Sequence, residues 1–110
     1  MKKFQQLWLD QINQIIDKNL QNPDLQLSDI IDNLEISPTT FYRTMRKLTG
    51  MTPNNYIRTR RLEKAKNILE IGVYPTVKET AFSVGYRSSD YFSKQFYNKY
   101  KVLPKQVLKH

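Results

Sequence analysis

A chain of 110 residues with a formal net charge of +8 suits one compact unit, or two very small ones on a shared linker, and leaves little room for a deep substrate cleft. Without cysteine it has no disulfide framework, thiolate nucleophile or zinc-thiolate site, and its only histidine, His110, is the last residue, a poor place for a catalytic or metal-binding imidazole. No apolar run approaches the roughly 20 residues of a membrane span, and "FQQLWLDQINQ" after the basic start is too polar for a signal-peptide core.

The expectation is a soluble, cytoplasmic, non-enzymatic protein that needs no cofactor or metal and makes no membrane contact. Helical periodicity dominates from the first residues. Leu9, Ile12, Ile16 and Leu20 recur at steps of three or four, which predicts a helix over residues 4–20. "QNPD" breaks it at Pro23. A short helix from Ser28 to Leu34 follows, with Ser28 as its N-cap.

In "ISPTTFYRTMRKLTG", Ser37 is the N-cap and Pro38 takes the first helical position, where its missing N–H has no intrahelical partner to lose. Phe41, Met45 and Leu48 form the apolar stripe, and Gly50 is the stop. "TPNNYIRTRRLEKAKNILEIG" repeats the device: Thr52 caps, Pro53 begins and Gly72 ends the helix, with Tyr56, Leu62, Ala65 and Leu69 inward. Thr76 and Glu79 have capping-box spacing, and that helix ends near Val84-Gly85. Ser88 caps the next, whose stripe is Phe92 and Phe96 with Tyr91, and a last turn starts near Pro104. The fold class is all-α with about seven helices.

Charge is unevenly placed. Residues 1–36 carry a balance of −3, residues 37–66 one of +7, and residues 67–110 one of +4. Such clustering suits a phosphate-binding surface, though a solvated basic helix face looks the same. An internal echo at an offset of 51 residues is more telling. Ser37, Phe41, Arg43, Met45, Met51 and Pro53 map onto Ser88, Phe92, Lys94, Phe96, Val102 and Pro104. Each copy reads as a short helix, a tight turn and a polar-faced helix, the order of a helix-turn-helix whose second helix enters the major groove. The helix between the copies is about 30 Å long, close to the roughly 34 Å between successive major grooves on one face of DNA.

"YIRTRRLEKAKNIL" and "VKETAFSVGYRSSDYFSKQF" resemble the linker helix and the second helix-turn-helix of the AraC/XylS family of bacterial transcription regulators. The resemblance runs from Leu20 to Leu108. It implies two homeodomain-like helix-turn-helix subdomains joined by a long linker helix. The divisions are residues 1–51 for the N-terminal helix and first motif, 52–72 for the linker, and 73–110 for the second motif, together one DNA-binding unit. It implies binding to double-stranded promoter DNA and contact with RNA polymerase, with dimerisation through regions outside this chain. "NLQNPDLQLSDIIDNLEIS" and "FYRTMRKLTGMTPNNYIRTRRL" also look like the output domain of hybrid two-component regulators, which implies a longer parent protein.

The departures from the family pattern are Ile31 for a small Ala, Thr80 for Ile, Lys101 for Gly, Leu103 for a Thr cap, and Val107-Leu108 for Tyr-Arg. They imply a differently packed first lobe and a loosened or truncated last helix.

Exposed residues in the first two turns of a recognition helix face base edges. These are Pro38, Thr39, Tyr42 and Arg43 in the first copy, and Ser89, Asp90, Ser93 and Lys94 in the second. Arg43 suits a bidentate contact to guanine. Ser37, Arg46, Lys47, Arg58, Arg60, Arg61, Arg87, Ser88 and Lys99 are the phosphate candidates. Asp90 has two readings: a first-turn acid favoured by the helix dipole, or an acceptor for cytosine N4. The alternative for the whole chain is a basic helical protein-interaction module with weakened DNA reading. RNA is a poorer fit, because its deep narrow groove does not admit a helix.

Overall fold

Seven helices and no strand make up residues 2–32 and 34–109, which the computed structural model describes. They are α1 (Lys3–Lys18), α2 (Leu27–Ile31), α3 (Pro38–Thr49), α4 (Pro53–Ile71), α5 (Val77–Ser83), α6 (Ser89–Tyr100) and α7 (Pro104–Val107).

The offset of 51 residues appears as duplicated end chemistry. Ser37 Oγ accepts the Thr40 amide at 3.2 Å, and Ser88 Oγ accepts the Tyr91 amide at 3.1 Å. Each satisfies one of the four N–H groups that a helix start leaves without an intrahelical partner. α3 and α6 then each run for 12 residues. Each ends on a left-handed residue, Gly50 at φ 72° and Lys101 at φ 62°. The amides of these two residues return to Arg46 O and Tyr97 O at 2.9 and 2.8 Å. Pro53 and Pro104, both fully buried, open the helices that follow. Thr52 and Thr76 hydroxyls cap α4 and α5 through the Asn55 and Glu79 amides.

The chain divides into two compact units, one of Met1–Asn19 with Leu25–Arg60 and the other of Leu20–Asp24 with Arg61–His110. The division falls inside α4, which explains why this 19-residue helix has no single apolar stripe. In the first unit Ile12, Ile16, Ile30, Phe41 and Met45 are buried, together with Tyr56 and Ile57 from the start of α4. The Trp8 and Phe41 rings lie 5.7 Å apart, and Tyr56 Oη donates to Asn13 Oδ1 at 2.5 Å. In the second unit Leu62, Ala65 and Leu69 of α4 join Ala81, Val84, Phe92 and Phe96. Tyr86, Phe92, Phe96 and Tyr100 form a ring chain with successive centroids 5.2, 5.7 and 4.7 Å apart, spacings at which aromatic pairs attract.

Four expectations need correction. α1 stops at Lys18, where Asn19 turns its amide to Ile16 O, so buried Leu20 lies beyond the helix and in the other unit. α2 runs over Leu27–Ile31 and not from Ser28 to Leu34: its N-cap is Gln26, whose amide donates to Asp29 Oδ2 at 3.0 Å, and Ser28 is inside the helix. Tyr91 is 51% exposed and not part of the inner stripe of α6. Arg61, expected among the phosphate contacts, is turned inward in the free protein. It is 8% exposed, and its guanidinium donates to Leu20 O at 2.7 Å, Val84 O at 2.6 Å and Asn22 O at 3.0 Å. Burial lowers its pKa, opposed by the neighbouring Tyr86.

The turn between α5 and α6 is fitted around that side chain. Gly85 sits at φ 93°, and a Cβ there would collide with the Arg61 guanidinium and with Leu20 O. The first copy has Glu35 at φ 54° in its turn. α7 is a single turn, and Leu103 gives it no side-chain cap; its amide donates instead to Gln106 Oε1 at 2.8 Å. It is nevertheless anchored, because Val107 and Leu108 pack on the second core and the Lys109 amide donates to Leu69 O at 3.0 Å.

Two stability predictions follow from these turns. Gly85→Ala combines an unfavourable backbone with a steric clash, so it should cost at least about 2 kcal/mol; a thermal midpoint equal to the parent's refutes this. Lys101→Gly removes the left-handed penalty at a site open to water. It should stabilise by about 0.5–1 kcal/mol, a rise of a few degrees in a melting experiment.

Candidate nucleic-acid interface

α3 presents two opposite faces. Phe41 and Met45 are 0% and 1% exposed, and they hold the helix against the first core. Pro38, Thr39, Tyr42, Arg43, Arg46 and Lys47 are all exposed. Their spacing of three and four places Thr39, Tyr42, Arg43 and Arg46 along one strip. None of the three cations joins an ion pair among the described residues, and α3 carries no acid. The strip is therefore uncompensated positive charge on a rigid, capped helix.

α6 repeats the arrangement with different chemistry. Phe92 and Phe96 point into the second core, while Asp90 and Lys94 are exposed and Ser89 and Ser93 are half-buried. Asp90 lies in the first turn, where the aligned peptide dipoles favour an acid. Tyr97, Asn98 and Leu103 join Ser93 and Lys94 around a cleft of about 310 Å³ beside the helix. Sequence reasoning did not single out Tyr97 and Asn98, because they lie past the second turn, where only the helical phase carried from Ser93 gives a signal.

The phosphate candidates separate into groups. Arg46, Lys47 and Arg58 are exposed and unpaired among the described residues. Lys99 is exposed with its ammonium 5.4 Å from the Tyr100 ring centre. Ser37 and Ser88 spend their hydroxyls as caps, and the helix starts they close still present backbone N–H groups outward. Arg60 is paired with Asp17 of α1 at 2.6 Å. Arg87, at the mouth of α6, is paired with Asp24. Arg61 is spent inside the second unit. Neither acid partner was visible in the sequence, since each lies 43 or 63 residues from its arginine.

Among the described residues, no group of three or more His, Cys, Asp or Glu is placed to hold a metal ion, and no helix is long and apolar enough to cross a membrane.

Residues 17–110 match the family model of a helix-turn-helix domain. Histidine kinase P4 of Formosa agariphila is 30% identical over 92 residues, which cover 84% of this chain and 7% of that protein. The HTH-type transcriptional activator RhaS of Escherichia fergusonii is 32% identical over 78 residues, 71% of this chain and 28% of that protein. The chain thus spans a small part of the regulators it matches. Among solved structures, the C-terminal domain of the two-component response regulator yesN from Fusobacterium nucleatum superposes with a TM-score of 0.78 at 27% identity, covering 91% of this chain and 96% of that one. With its two capped helix-turn-helix copies, the chain belongs to the helix-turn-helix family of AraC/XylS-type DNA-binding domains.

Proposed function

We propose that this chain is the sequence-specific, double-stranded-DNA-binding domain of a bacterial transcription regulator, with α3 and α6 as recognition helices in successive major grooves. The observation that carries this reading is the capped, doubly built helix with an outward polar strip, uncompensated and basic on α3. The family match and a relative described as a transcriptional activator support it.

Pro38, Thr39, Tyr42 and Arg43 read one half-site, and Ser89, Asp90, Ser93 and Lys94 read the other. Arg46, Lys47, Arg58 and Lys99 hold phosphates, together with the helix starts at Ser37 and Ser88. Arg87 joins them only by leaving Asp24, whereas the less exposed Arg60 stays paired with Asp17. The domain acts by binding rather than catalysis, in the cytoplasm, on promoter DNA where RNA polymerase works. It makes no membrane contact. The matches to a histidine kinase and a response regulator support a parent protein of the two-component class, with dimerisation through its other regions.

Titrating promoter duplexes and random DNA at two salt concentrations tests this. Affinity should fall tenfold or more between about 50 and 200 mM salt, because displaced counterions drive phosphate binding. Salt-insensitive or absent binding to every duplex sinks the reading. Arg43→Ala should cost about 1–3 kcal/mol on the preferred site and relax preference at one base pair; unchanged affinity favours the protein-interaction module instead. Asp90→Ala separates the two roles of that carboxylate. A base reader predicts a changed preference at one position of the second half-site, whereas an equal gain on all sequences leaves Asp90 with a helix-stabilising role alone.

A further inference from the structure

Arg87 stands immediately before the Ser88 cap, at the end of α6 that leads into a groove. It is a natural phosphate ligand, yet in the free protein its Nη2 donates to Asp24 Oδ1. Both partners are largely exposed, with side chains 64% and 71% accessible. An exposed pair of this kind is weak and exchanges readily with other anions.

Asp24 does not depend on Arg87 for its position. Its amide donates to Asn22 Oδ1 at 2.9 Å, and the same segment is held by Arg61 through Leu20 O and Asn22 O. A carboxylate is therefore presented to the mouth of the recognition helix by a segment fixed independently of it. Resting on the DNA-binding reading above, we infer that Asp24 is a built-in phosphate mimic, which occupies Arg87 in the free protein and is displaced by a backbone phosphate when duplex DNA binds.

The exchange is sequence-neutral, since phosphates carry no base information. Its effect is to weaken binding to all DNA by the strength of one exposed ion pair. The Arg60–Asp17 pair provides the control. It has the same chemistry at 2.6 Å but is less exposed, at 25% and 43%, and it lies in the first unit, on α1 and α4 rather than at the start of a recognition helix.

The experiment uses the 110-residue chain, a fluorescent random-sequence duplex and a promoter duplex. Asp24→Asn should raise affinity for both duplexes alike, by about two- to fivefold. The gain should vanish in the Arg87→Ala background and be absent for Asp17→Asn. Arg87→Ala alone should make the salt dependence shallower by about 0.9 in log–log slope, the loss of one phosphate contact. This last result does not depend on Asp24→Asn folding normally.

No gain from a folded Asp24→Asn overturns the inference. So does a gain that persists without Arg87, or one matched by Asp17→Asn, because either outcome reports net charge alone. An unchanged salt slope in Arg87→Ala overturns it as well. Failure of the unmodified chain to bind any duplex refutes the DNA-binding reading itself, and is thereby distinguished from failure of the phosphate mimic.

Discussion

The buried guanidinium of Arg61 is the constraint around which the second unit is arranged. Removing a cation from water is costly unless polar groups replace its hydration. Here the replacement is three backbone carbonyls, at Leu20, Asn22 and Val84. Those carbonyls lie at chain ends that have no regular ladder: the exit from α1, the loop through Pro23, and the end of α5. One planar fork of donors thus closes three loose ends at once, which a lysine ammonium has neither the shape nor the donor count to do. Gly85 is the necessary complement. Only a residue without a Cβ both accepts the left-handed backbone of the turn and leaves room for the guanidinium.

The duplicated end chemistry shows what the chain needs to place a recognition helix. A serine cap fixes where the helix begins, an inward aromatic sets its rotation, a left-handed residue stops it, and a buried proline starts the next element. The four are local instructions that act within a few residues of one another. The two copies satisfy them with different success. Gly50 adopts its left-handed conformation freely, whereas Lys101 is held in one that a side chain disfavours. The Tyr97 carbonyl bond and the buried Pro104 secure it there.

That locality decides how much was legible in the sequence. Ser37, Pro38, Gly50, Thr52, Gly72, Thr76 and Ser88 were readable because each signal and its structural consequence lie within one helical turn. The inward faces of α3 and α6 were readable from spacing, with Tyr91 the exception, since an aromatic beside a stripe looks much like one within it. Arg60 and Arg61 were not separable. Adjacent arginines carry the same charge, and about 100° of helical rotation sends one to Asp17 and the other into the second core. The partners that distinguish them lie some 40 residues away. Ser28 failed for a related reason. A good capping residue was present, but the capping contact was made by Asp29 reaching back to Gln26.

The distribution of charge gives the two copies unequal tasks on the proposed reading. The acidic first third of the chain supplies Asp17 and Asp24, and these occupy Arg60 and Arg87. Arg61 is removed by burial. The uncompensated cations that remain on recognition elements are concentrated on α3, where Arg43, Arg46 and Lys47 have no acid among them. On α6, Lys94 and Lys99 share the helix with Asp90. Attraction to a polyanion grows with net positive charge, whereas discrimination grows with groups that are penalised at the wrong partner. A carboxylate at the groove is such a group, because phosphate repels it and cytosine N4 is among the few base-edge donors it can meet. The first copy is thus suited to supplying affinity, and the second to limiting which sequences receive it.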